Sequence, residues 1–143
     1  MSVPISRREQ SKAEFVNTAY DLHVLTIKLC TKMDKRLTFF LGQPICLLAG
    51  KCHEHVKAAN SVFPRNKMDA QLRRDHLTEA NCAVQALYSF LDIAYGLHQV
   101  TKGKITDNEL MEWLDTAARE AKLIAGVKEE DVKRFKSLPD GPL

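Results

Sequence analysis

The chain lacks any segment with the alternating pattern of a β-strand, and it lacks repeats and low-complexity runs. A sheet protein and a repeat array are excluded on that ground. It also lacks a long apolar run. The longest stretch without a formal charge is the 14 residues Leu37–Gly50, interrupted by Gly42, Gln43 and Pro44. A membrane-spanning helix needs roughly 20 apolar residues. The opening Met1-Ser2-Val3-Pro4-Ile5-Ser6-Arg7-Arg8 has no apolar core behind its basic pair, so a secretory signal is not expected. No glycine-rich phosphate loop is present, because Gly42 and Gly50 have the wrong spacing and no Lys-Ser/Thr follows. Cysteine is sparse at four, and Cys30, Cys46, Cys52 and Cys82 lie within apolar helical patterns rather than loops. Reduced thiols and a cytoplasmic location are the expectation. One charge sign does not dominate either: 21 Lys+Arg against 18 Asp+Glu leave +3.

What is present is 143 residues with 45% apolar and 27% charged side chains, the size and composition of one globular domain. The charge is unevenly spread. Residues 1–76 hold 13 Lys/Arg against 7 Asp/Glu, a net of +6, and residues 77–143 hold 8 against 11, a net of −3.

Apolar residues recur at helical spacing throughout. The first stripe is Phe15, Ala19, Leu22, Leu25 and Leu29, with a second row of Val16, Tyr20, Val24 and Ile27 beside it. Two rows predict cover on two sides, one from the bundle and one from another subunit. The second stripe is Leu41, Ile45, Leu48, Cys52, Val56 and Ala59. Pro44 implies either a bend in this helix or a start near that residue. The third, from about Lys67 to Val100, is Met68, Leu72, His76, Ala80, Ala83, Leu87, Phe90, Ala94 and Leu97, with Val84, Tyr88, Leu91 and Tyr95 as a second row. Thr106 with Glu109 reads as a capping box opening a fourth helix through Leu110, Trp113, Ala117, Ala121 and Ile124. Gly126 reads as its stop, with a short extra helix over residues 129–137. The expected fold is all-α: an up-down-up-down four-helix bundle over residues 11–127, behind an N-terminal extension (1–10) and before a short helix and tail (128–143).

Chemistry-bearing clusters are few. Cys52-His53-Glu54-His55 is the densest. The zincin pattern needs histidines at i and i+4, and here Lys57 occupies that place. Cys52 and His55 share a face, but two ligands do not make a structural zinc site. Neither a catalytic residue, a metal ligand nor a cofactor is assigned. A small enzyme or metal protein built on Cys52 and His55 is the weakest reading.

The basic residues gather when placed on the bundle. The end holding the termini and the second connection collects Arg7, Arg8, Lys12, Lys57, Arg65, Lys67, Arg73 and Arg74. Arg73 and Arg74 point about 100° apart, so at most one of them is central to a flat contact. As a set, Arg7, Arg8, Lys57, Arg65, Lys67, Arg73 and Arg74 are candidates for reading phosphates of RNA or DNA without base recognition. Tyr20, Val24, Ile27 and Tyr88 are candidates for an oligomer or partner interface.

Lys35-Arg36-Leu37-Thr38-Phe39-Phe40-Leu41-Gly42 opens the second helix and Ala58-Ala59-Asn60 with Phe63-Pro64 closes it. Arg73-Arg74-Asp75-His76-Leu77 follows, then Leu87, Leu91 and Ala94. Together, over roughly residues 10–126, the chain resembles the accessory variability determinant family of diversity-generating retroelements. That four-helix-bundle family also includes proteins encoded in intervening sequences of bacterial large-subunit ribosomal RNA genes. The resemblance implies a non-enzymatic bundle that forms a homopentamer, binds a reverse transcriptase and nucleic acid, and supports mutagenic copying of template RNA. An oligomeric helical protein-binding scaffold with no nucleic-acid role is the alternative.

Overall fold

The computed structural model describes residues 13–101 and 103–141. Four long helices carry the chain: α1 (Glu14–Cys30), α2 (Gln43–Ser61), α3 (Lys67–Thr101) and α4 (Asp107–Arg134). Each packs on its sequence neighbours, and α1 also packs on α4, which closes an all-α bundle. No strand occurs among the described residues, and no helix among them is long and apolar enough to cross a membrane.

The start of α2 settles the question raised by Pro44. Asp34 accepts a hydrogen bond from the Arg36 N–H at 2.9 Å and caps a single turn, Lys35–Leu37. A π-helical turn, Thr38–Gly42, then widens the coil, with the Gln43 N–H donating to the Thr38 carbonyl. Pro44 falls in the first turn of α2, where a missing N–H costs least. In an uninterrupted α-helix its ring would meet the Phe40 carbonyl four residues earlier. The π turn stands where that clash would be.

Asn66 caps α3 by accepting from the Asp69 N–H at 2.8 Å. The capping box of α4 is present: Thr106 Oγ1 accepts from the Glu109 N–H at 3.1 Å, and Glu109 Oε1 accepts from the Thr106 N–H at 3.0 Å. Glu109 also meets Lys32 Nζ at 2.7 Å and ties this cap to the end of α1. The Lys32 ammonium, then the Thr106 backbone, hold its carboxyl down at about 2.

Gly126 does not end α4, and no separate helix covers 129–137; α4 runs unbroken to Arg134. Glycine inside a helix costs about 1 kcal/mol relative to alanine. Ile124 is fully buried, Val127 packs on the core and Asp131 is buried, so tertiary contacts on both sides of Gly126 outweigh that cost.

The core joins Phe15, Ala19, Leu22 and Leu29 of α1 to Ile45, Cys52, Val56 and Ala59 of α2, Leu77, Val84, Leu87 and Leu91 of α3, and Leu110, Trp113, Ala117 and Ile124 of α4. Trp113 is wholly buried and its Nε1–H donates to Thr26 Oγ1 at 2.9 Å. The Thr26 hydroxyl in turn donates to the Leu22 carbonyl at 2.6 Å. At the start of α3 the buried face is not the expected one. Met68 and Leu72 are exposed, and Arg73 and Leu77 are buried.

Candidate functional site: a basic end and an apolar α1 row

The expected phosphate-reading set divides in the structure. Arg73 leaves it. Its guanidinium is buried, with Nε 2.6 Å and Nη2 3.3 Å from the two Asp131 oxygens and Nη1 donating to the Ala59 carbonyl at 3.0 Å. All three contacts are inside the bundle, so this arginine joins α2, α3 and α4 and offers nothing to a ligand. Adjacent Arg74 points away from that joint and is exposed. Lys57, Arg65 and Lys67 are exposed as well. Lys67 Nζ lies 3.7 Å from an Asp140 oxygen. Arg7 and Arg8 lie outside the described residues.

The unbroken α4 brings to the same end residues that sequence patterning did not single out. Asp131 meets Arg73, and the Pro139 carbonyl accepts from the Lys67 N–H at 2.8 Å, so the C-terminal segment returns to the start of α3. A Cβ at Gly141 would fall 2.5 Å from Sδ of the exposed Met68 side chain, which would have to shift to admit it. Lys133, Arg134 and Lys136 therefore sit, exposed, at the end of the bundle where Arg65 and Lys67 sit. Arg134 lies 4.9 Å over the Phe135 ring and 4.0 Å from Asp131. The available signal was the Lys-Arg pair in a last helical turn, where cations complement the helix dipole. The supposed stop at Gly126 concealed it.

Among the described residues no carboxylate comes within 4.0 Å of the charged atoms of Lys57, Arg65, Arg74, Lys133 or Lys136. These charges are free to meet an external anion.

The interface candidates are all exposed in the single chain. Tyr20 is 57%, Val24 47%, Ile27 50% and Tyr88 40% accessible. Tyr20, Val24 and Ile27 form one row along α1, and Tyr20 stacks edge-on against His53 of α2 with centroids 5.9 Å apart. Phe39 and Phe40, exposed at the π turn, pack edge-to-face at 5.5 Å.

Cys52 and His55 do not form a shared site. The Cys52 thiol is buried against the core and is pushed up to about 12, first by burial and then by the Glu120 charge. A thiol held neutral in this way is a poor nucleophile and a poor ligand. His55 turns instead to α3, where its Nδ1 lies 3.1 Å from Nδ1 of His76. His53, two residues away, turns the opposite way, to His23 of α1 at 3.0 Å.

No protein-family model matches the chain, and neither the curated proteins nor the solved structures contain a match to it.

Proposed function

We propose that the protein is a non-enzymatic accessory subunit that binds nucleic-acid phosphates through the basic end of the bundle. The observation that carries this reading is the exposed set Lys57, Arg65, Arg74, Lys133 and Lys136, whose charged atoms have no carboxylate within 4.0 Å among the described residues, with Arg134 and Lys67 beside it. Side chains on separate helix ends and turns suit a phosphate backbone, which is read by charge and spacing rather than by base edges. The resemblance to the accessory variability determinant family supplies the partner, a reverse transcriptase, and the homopentameric assembly. Within that reading the row Tyr20, Val24 and Ile27 supports subunit or partner contact, because apolar side chains half open to water gain from being covered.

Binding to a single-stranded oligonucleotide is expected to fall steeply with salt. About six phosphate contacts on a single strand correspond to roughly a 300-fold loss between 50 and 200 mM salt. Binding that ignores salt, or none at 50 mM, would defeat the proposal. Pull-down from native cells tests the reverse transcriptase directly.

The second reading, an oligomeric protein-binding scaffold, rests on the same apolar row. Tyr20→Glu would then abolish partner binding, while Arg65→Glu with Arg74→Glu would leave it intact.

A further inference from the structure

Four of the five histidines in the chain are used in two cross-helix pairs. His23 of α1 faces His53 of α2, Nδ1 to Nδ1, at 3.0 Å, with ring centroids 5.2 Å apart. His55 of α2 faces His76 of α3, again Nδ1 to Nδ1, at 3.1 Å, with centroids 5.3 Å apart. All four rings are partly open to solvent. Two such contacts, on opposite flanks of one helix, are unusual for a bundle whose other cross-helix contacts are mostly apolar.

A contact between the same nitrogen of two imidazoles works as a hydrogen bond only when one ring carries the proton and the other does not. With the protons on both outer Nε2 atoms, two lone pairs face one narrow gap. Neutral imidazole is the commonest protein ligand for transition metals. Two cis nitrogens on an octahedral or square-planar ion at about 2.1 Å lie about 3.0 Å apart, and on a tetrahedral ion about 3.4 Å. The observed separations match the first geometry and fall slightly short of the second.

We propose that His23–His53 and His55–His76 are two separate chelating sites for a divalent transition-metal ion of the Ni2+, Cu2+ or Zn2+ type. Among the described residues no third His, Cys, Asp or Glu converges with either pair. Each ion would therefore keep water in its remaining positions, as an open and exchangeable site rather than a closed structural one. Bound at both, it would pin α2 to α1 and to α3. The inference does not rest on the nucleic-acid reading, since no residue of the basic end is a ligand in it, although Tyr20 of the apolar row packs edge-on against His53.

Ni2+ is the probe, since it favours cis nitrogens and does not oxidise thiols. Calorimetric titration of the full chain is expected to show two equivalents bound. His23→Gln and His76→Gln should each remove one equivalent, and together remove both, with His98→Gln leaving two. Ni2+ should also raise the melting temperature of the unaltered chain by several degrees, because it binds only the folded pairs, and this rise should vanish in the double variant. Should a variant fail to fold, amide signals of the unaltered chain answer instead: paramagnetic Ni2+ should broaden those around positions 23, 53, 55 and 76 first. No uptake, equal uptake by the double variant, or broadening centred elsewhere would overturn the assignment.

Discussion

Glu120 has both carboxyl oxygens buried without a hydrogen-bond partner, in a core of aliphatic side chains beside Cys52. Burial is the main cause that pushes its carboxyl up to about 9, partly countered by Arg119 and reinforced by Glu14. The acid is therefore neutral at pH 7 in the folded chain and ionised in the unfolded one. The folded state holds the extra proton between the ordinary carboxylate value and about 9, so stability must fall as pH rises through that window. The slope is at most about 1.4 kcal/mol per pH unit for one proton. Urea unfolding at pH 5, 7 and 8.5 should show this decline, and Glu120→Gln should flatten it. The Arg73–Asp131 pair is the opposite case, two buried charges that satisfy each other. Removing one partner strands the other, so Arg73→Ala or Asp131→Ala should each cost about 3–5 kcal/mol in the same measurement. Replacing both together with apolar residues should cost far less than the two single changes combined. Neither residue announces itself in the sequence. Arg73 sits beside Arg74 as one more cation, and only the packing of α4 distinguishes them.

At the scale of the helix, the four stripes were legible because burial on one face of a helix imposes a period of 3.6 residues. Three of the four stripes match the observed core closely: Phe15, Ala19, Leu22 and Leu29, then Ile45, Cys52, Val56 and Ala59, then Leu110, Trp113, Ala117 and Ile124. The stripe of α3 was misread at its beginning, since Met68 and Leu72 look more apolar than the Arg73 that is buried there. The capping box at Thr106 was legible because it is a local pattern of hydrogen-bonding groups. Gly126 misled for the converse reason: propensity is a weak local preference, and the contacts that overrule it come from other helices. A Cβ at Gly126 meets nothing within 4 Å. Gly126→Ala should thus stabilise the protein by about 0.5–1 kcal/mol and raise its melting temperature, with no change in structure. The histidine pairs were illegible for a geometric reason. His53 and His55 stand about 200° apart around the helix axis, and their partners depend on which helix lies on each flank.

For the whole molecule, the fold sorts charge by position more than by amount. The net +3 is small, yet the end formed by the α2–α3 turn and the close of α4 gathers exposed Lys57, Arg65, Arg74, Lys133, Arg134 and Lys136. Reversing several of them at once, as in Arg65→Glu with Arg74→Glu and Lys133→Glu, should make the slope of log affinity against log salt shallower. The change should be about 0.7 for each single-strand phosphate that is no longer neutralised. The folded state should be unaffected, because none of these three side chains pairs with a carboxylate among the described residues. A change of affinity with no change of slope would mean that these residues act on shape and not on phosphates. Half of this end was legible from the sequence, as Lys57, Arg65, Lys67 and Arg74. The other half required α4 to continue beyond its glycine.

The π turn at Thr38–Gly42 has a consequence for how the gene can change length. A π turn accommodates one residue more than an α-turn, so it is the footprint that a single-codon insertion leaves in a helix. Deleting one residue there would let the coil close as an ordinary α-helix and rotate everything upstream by about 100° relative to α2. The Asp34 cap would turn with it, and so would the Lys35–Leu37 step, while the Pro44 ring would again face a carbonyl. A one-residue deletion in this short stretch is thus a change of register for the α1–α2 connection, and a relative of this chain that lacked the extra residue would be expected to lack the proline too.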